Sequence, residues 1–254
     1  MPATVMIALR GLFLSLLILC TPAFCYAGEP GPELQGFHAE YKLKYAIFSG
    51  DVQLDLRPSD QPDEYIYTAH TNARGAARIV LSGTAKETSR FKYIEGKIQP
   101  VHYYLNNGME NEDSETDIQF DSEAGIAHAK HEGQEVSYPI DSETLDRLSA
   151  DIVAILELRA GRTPGAYEIA DDDSIRTYNF ELLGEEQIEV PAGKFHTLKF
   201  KRQRAGSSRS TLIWYAPEAN YLAVRMEQLK RGKTKVTSTL TSYKLDQMNT
   251  DQVF

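Results

Sequence analysis

The sequence predicts an all-β protein, a mainly antiparallel curved sheet or partial barrel with one covering α-helix. Three observations carry this. Apolar and polar residues alternate with a period of two along most of the chain, the mark of strands with one buried and one wet face. Gly, Asn and Pro recur between the alternating runs, as hairpins require. One segment alone, from Ser142 to Gly161, changes to helical spacing.

The first residues, MPATVMIALRGLFLSLLILCTPAFCYAGEP, hold a charge at Arg10, an apolar run from Leu12 to Leu19 and small residues at Cys25 and Ala27. This is the layout of a secretory signal peptide cleaved after Ala27. The run is shorter than the ~20 residues of a membrane span, and no later segment approaches that length. The expectation is an exported, periplasmic chain with no span once residues 1–27 are removed, and 28–254 as a single β-rich domain. Lipid attachment needs a small residue before the modified cysteine, whereas Leu19 precedes Cys20 and Phe24 precedes Cys25. Both cysteines fall in the leader, so the mature chain is left without a disulfide, a thiolate metal site or a cysteine nucleophile. Its length suffices to bury a core without such staples.

In FHAEYKLKYAIF the apolar set is Phe37, Ala39, Tyr41, Leu43, Tyr45 and Ile47, with His38, Glu40, Lys42 and Lys44 between. A two-residue loop at Ser49-Gly50 is predicted to set Ile47 opposite Val52, Tyr45 opposite Leu54 and Leu43 opposite Leu56. Strand patterns recur in EYIYTAHT, AARIVLSG, TSRFKYIEGKIQPVHYYLNNG, TDIQFD, EQIEVPAGKFHTLKFKR, STLIWYAP, YLAVRMEQL and TKVTSTLTSYKL. Asn107-Gly108 and, more weakly, Gly96-Lys97 signal hairpins. The count is roughly ten to thirteen strands of ordinary length.

SETLDRLSADIVAILELRAG places Leu145, Leu148, Ile152, Ile155, Leu156 and Arg159 on one helical stripe, with Gly161 as its stop. Ser142 and Ser149 both fit as N-cap. A single amphipathic helix in an all-β chain most often covers an open end or edge of the sheet. That favours a curved sheet or partial barrel with a lid over a two-sheet sandwich.

IEVPAGKFHTLKF reads as a three-residue hairpin loop, with Pro191 first, Ala192 second and Gly193 in the left-handed position. Val190 then pairs with Lys194 and Ile188 with His196, placing Val190, His196, Leu198 and Phe200 on one face. Pro191 and Gly193 are structural turn residues on this reading. A phosphate loop needs several glycines between a strand and a helix, and here one glycine separates two strands.

The run Val190-Pro191-Ala192-Gly193-Lys194-Phe195, with Thr197, Trp214 and Pro217, resembles a family of exported bacterial proteins, the domain of unknown function 3108. Phe37, Ala39 and Tyr41, the triplet Phe48-Ser49-Gly50, Phe91 through Gly96 to Pro100, and Asp146 with Leu148-Ser149 extend the resemblance over most of the chain. Ala223 stands where the family's pattern has proline before Val224-Arg225. The resemblance implies an envelope-located, β-rich single domain and supplies no catalytic residue.

Charge is uneven. From Gly28 to Gly193 there are 14 Lys and Arg against 32 Asp and Glu, whereas Lys194 to Lys235 holds 11 basic residues against Glu218 and Glu227. Basic strands beside acidic ones in one sheet account for this structurally, and a basic face for an anionic head group or polymer accounts for it functionally. An exported, net acidic protein is not expected to bind nucleic acid. Of the fourteen tyrosines, Tyr41, Tyr45 and seven others fall in strand patterns, where they pack in the core or line a concave face that receives an acyl chain. Lys199, Lys201, Arg202, Arg204 and Arg209 are the candidates to hold the head group of such a ligand.

His128 and His131 sit three apart in HAKH, which on a strand sends them to opposite faces and spoils chelation. The acidic stretches ENEDSETD and DDDS lack the order of a calcium loop and read as solvated loops. G-x-S-x-G, H-E-x-x-H and P-loop signatures are missing. No cofactor, metal or catalytic residue is assigned. The functional expectation is a non-enzymatic periplasmic binding or accessory protein holding a lipid or other apolar or amphiphilic envelope component. The alternatives are a partner-binding scaffold without a small ligand and a carboxylate-based hydrolase of envelope polymers.

Overall fold

The computed structural model describes residues 34–75, 84–108 and 115–247. The leader, the stretch AARIVLSG and most of ENEDSETD lie outside the described residues. Eight strands precede the helix: β1 (Phe37–Tyr45), β2 (Phe48–Pro58), β3 (Glu64–Arg74), β4 (Ala85–Ile94), β5 (Lys97–Asn106), β6 (Glu115–Asp121), β7 (Ile126–His131) and β8 (Gln134–Pro139). After α1 (Arg147–Arg159) come β9 (Ala166–Ala170), β10 (Ile175–Val190), β11 (Gly193–Arg204), β12 (Arg209–Ala216), β13 (Leu222–Lys230) and β14 (Lys233–Leu245). These fourteen described strands, more than the alternation alone suggested, form one antiparallel sheet in the order β8-β7-β6-β5-β4-β3-β2-β1-β14-β13-β12-β11-β10-β9. The sheet is not closed. Its two edges, β8 and β9, are joined by the segment that carries α1, while β1 and β14, from opposite ends of the chain, pair at its centre.

On β1 the alternation predicted the buried set Phe37, Ala39 and Tyr41, and every strand contributes at least one side chain to a single core cluster with α1. Five irregularities in register, between Glu40 and Tyr41, Arg90 and Phe91, Leu182 and Gly184, Trp214 and Tyr215, and Gln228 and Leu229, add the local twist that curls so wide a sheet. At the first, the Thr241 hydroxyl donates to the Glu40 carbonyl at 2.9 Å.

Turn positions depart from the sequence reading. The first hairpin turns at Ala46-Ile47, so that Phe37 faces Leu56, Ala39 faces Leu54 and Tyr41 faces Val52, and Ile47 is 92% exposed. The predicted register would have left Phe37 and Ala39 without apolar partners next to the helix. The β4–β5 turn is Glu95-Gly96, with φ of 52° and 78°, one residue earlier than Gly96-Lys97, because a tight type I′ turn needs both positive φ values at its centre. Asn107-Gly108 begins a longer connection, since Asn106 pairs with Glu115.

The β10–β11 turn is shorter than expected. Val190 pairs with Gly193 around Pro191-Ala192, and Ile188 with Phe195. This one-residue difference moves Val190 to the face of Phe195 and Thr197, while His196, Leu198 and Phe200 share the other face of β11. Phe195 and Thr197 are buried and His196 is exposed, while Phe200, on the His196 face, is also buried, so β11 is covered on one face near the turn and on the other farther along. The tip docks on the sheet centre: the Ala192 N–H donates to the Leu240 carbonyl at 3.1 Å, with Val190, Phe195 and Leu240 all buried.

The N-cap of α1 is Asp146, neither Ser142 nor Ser149. Its carboxylate accepts from the Leu148 and Ser149 N–H groups, and the Ser149 hydroxyl accepts in return from the Asp146 N–H. That reciprocal box satisfies N–H groups that an α-helix leaves open. The stop at Gly161 is as predicted, with Gly161 N–H to Leu158 and Arg162 N–H to Glu157 closing a Schellman turn. The helix is more than a lid: from Arg147 to Arg159 no residue is exposed, so it fills the concave side of the sheet.

Candidate functional site

Burying a helix that carries charged residues requires partners for them, and α1 obtains them from strands on both sides of the opening. Asp146 accepts from the Ser89 hydroxyl of β4 at 2.6 Å. Arg147 bonds Asp171 and reaches Asp172 at 3.1 Å in the β9–β10 connection. Asp151 accepts from Arg202 Nη1 of β11 at 2.5 Å, and Glu157 accepts from the Tyr167 hydroxyl of β9 at 2.5 Å. DDDS is therefore not merely a solvated loop, since Asp171 is buried under Arg147 and Arg204, the latter at 3.6 Å.

Around Asp151 lies the most concentrated chemistry of the interior. A cavity of about 80 Å³ is lined by Asp151 together with Phe37, Tyr41, Tyr67, Tyr215 and Met226 among others. Burial pushes the Asp151 carboxyl above its usual range, with the Arg202 guanidinium pulling it back. The Tyr41, Tyr67 and Tyr215 hydroxyls are raised by burial first and by the Asp151 charge second. Nearby, burial also raises Glu87, which accepts from the Tyr103 hydroxyl at 2.6 Å, and the capping Asp146. Each of these acids is held by a partner that fastens helix or sheet. A cavity of this size accommodates a few waters, whereas ligand sites run to about 300–1,000 Å³.

The residues expected to hold a ligand are divided by the pleat. Arg202 and Tyr41 come together around Asp151. Arg204 turns toward Asp171, and with Lys201 it also lines an open depression of about 320 Å³. Lys199 points outward, 3.0 Å from Glu186 and with its ammonium 4.7 Å from the Trp214 ring centre. Arg225 lies 5.1 Å from the same ring, so Lys199, Trp214 and Arg225 form a row across β11, β12 and β13. Arg209 is exposed at the start of β12, and Tyr45, half exposed, sits at the first hairpin tip. Asp151 escaped the sequence reading. Its signal was a carboxylate between Leu148 and Ile155, inside the apolar stripe of the helix.

A larger open groove, about 740 Å³, runs over the outer face of β5 to β8 and is lined by Tyr104, Asp117, His128, Lys130 and Glu135 among others. His128 bonds Ser137 there, while His131 turns to the other face, toward Thr116.

No curated protein matches the chain in sequence. Similarity to solved structures is distant. A β-barrel-like protein of domain of unknown function 1849 from Brucella abortus aligns at 10% identity and a TM-score of 0.48, over 85% of this chain and 100% of that one. A chain of the Pseudomonas aeruginosa MucA/MucB complex aligns at 9% identity and 0.39, over 85% of this chain but 54% of that one. A protein described as exported, with a YmcC-like fold, from Bacteroides fragilis NCTC 9343 aligns at 13% identity and 0.35, over 84% and 98%. In sequence, residues 40–240 match the family described as Protein of unknown function (DUF3108), and the chain belongs to that family.

Proposed function

We propose that the protein is a non-enzymatic accessory protein of the bacterial cell envelope that holds a partner polypeptide on its outer surface. The observation that carries this reading is the occupied concave side of the sheet. An acyl chain would have to displace α1, with its apolar residues and its four polar ties, to enter. The cavity beside the helix, about 80 Å³, is well below the volume of an ordinary ligand site. Envelope location is supported by the signal-like leader, and no helix of the described residues is long and apolar enough to cross a membrane.

The test is made on protein purified from the periplasm without detergent. Native mass spectrometry is expected to give the bare chain mass, and a fluorescent fatty-acid probe at micromolar concentration is expected not to bind. Co-purified lipid, or probe binding that Tyr41→Trp abolishes, would return the interior to the role of a ligand site.

A further inference from the structure

Strand β10 is sixteen residues long, but β9 pairs only with Ile175 to Asn179, and the Phe180 N–H closes the ladder on the Gly165 carbonyl at 2.7 Å. From Glu181 to Glu189 no strand among the described residues pairs with the outer edge. Seven of these nine residues are exposed, and the other two, Gly184 and Ile188, are half-buried. Alternate residues of such an edge direct unpaired N–H and C=O groups outward.

Natural edges of this length are usually blunted by lysine, proline or a covering loop. This one has neither residue; it carries the irregularity between Leu182 and Gly184, and it presents Leu182 and Leu183 at 46% and 45% exposure. Its charge is of one sign, with Glu181, Glu185, Glu186 and Glu189 and no Lys, Arg or His. Glu186 and Glu189 are engaged by Lys199 and Lys194, whereas Glu181 and Glu185 form no ion pair among the described residues. Like charges placed opposite one another across strands are destabilising, so antiparallel pairing of this edge with a second copy sets glutamates against glutamates. A basic strand has the opposite sign of interaction.

We propose that the Glu181–Glu189 edge is a strand-addition site for an extended, basic segment of a partner protein. The segment adds to β10 by backbone hydrogen bonds, with apolar side chains beside Leu182 and Leu183 and Lys or Arg beside Glu181 on one face and Glu185 on the other, since the irregularity between Leu182 and Gly184 separates the two. This rests on the partner-binding reading above and assigns that reading a place and a partner chemistry.

The probe is a capped nine-residue peptide of Lys and Val whose alternation is shifted by one residue at its middle, so that Lys lies on both faces, titrated into the full chain and followed by fluorescence anisotropy. Binding at one site is expected, with slowed amide exchange confined to Glu181–Glu189. N-methylation of alternate peptide amides leaves its charge intact and removes its edge, and should weaken binding by about tenfold or more. Glu181→Lys with Glu185→Lys should do the same, with the melting temperature unchanged. Equal binding of the N-methylated peptide would reduce the effect to charge alone and overturn the proposal. Protection, in the dilute free protein, of the outward-facing amides of Glu181–Glu189, those not bonded to β11, would also overturn it, because the edge would then be filled by this chain or a second copy. If the peptide fails to bind while the purified protein is free of lipid, the edge assignment fails and the partner-binding reading stands. Lipid in the interior would remove that reading whatever the peptide does.

Discussion

Asp151 of α1 and Arg202 of β11, 51 residues apart, share a hydrogen bond of 2.5 Å beside the interior cavity, with 28% and 22% of their side-chain surfaces accessible. Removing either partner leaves a largely buried charge uncompensated. Arg202→Met or Asp151→Leu alone should cost about 3 kcal/mol, at the low end for a buried pair because some water reaches both groups. The double variant should recover much of that loss. Urea denaturation of the four proteins in a thermodynamic cycle measures it, and additive losses would show that the pair does not hold the helix.

Glu87 gives a pH signature. Burial raises its folded-state carboxyl above the unfolded value, so its contribution to stability is fully present below the unfolded pKa and is lost as pH rises through the folded one. Glu87→Gln keeps an acceptor for the Tyr103 hydroxyl and removes the titration. The variant should gain in melting temperature relative to the parent between pH 5 and pH 8. A difference that stays constant across that range would mean that Glu87 does not titrate on this account.

Ser89 ties the N-cap of the helix to β4 through the buried Asp146 carboxylate. Ser89→Ala should cost about 1–3 kcal/mol, since it removes a donor from a buried charged acceptor without opening a route for water. Amide exchange in the first turn of α1 should rise more than exchange in β13, which has no part in the contact. Uniform change across both elements would point to global loss and not to release of the helix end.

At the β10–β11 tip, Gly193 has φ of 143°, and an added Cβ would lie 3.6 Å from the Phe195 ring. Gly193→Val should therefore cost roughly 1–2 kcal/mol or more, chiefly through the backbone. Lys194→Ala should cost little, because its contact with Glu189 at 3.3 Å is between two exposed side chains. Thermal melts compare the two directly, and a larger loss from Lys194→Ala would contradict the structural role of the turn.

The sequence by itself determined the strand class, the inward set beginning Phe37, Ala39 and Tyr41, the one helix and its stop at Gly161. These are local properties, because side-chain direction on a strand or helix follows from each residue's near neighbours. The short strands β7, β8 and β9 were missed for the same reason, since Ala127 and Ala129 supply almost no hydropathy contrast. Only the tertiary structure decided that the first hairpin turns at Ala46-Ile47, that α1 lies inside the curled sheet, and that Asp171 is buried under Arg147. It also separated Arg202 from Lys199, which the sequence had grouped. Register, helix placement and the pairing of buried charges depend on contacts such as Asp151 with Arg202 and Glu40 with Thr241, across 51 and 201 residues. Their net free energy depends on the desolvation and chain-closure costs that the contacts must offset, which no local pattern encodes.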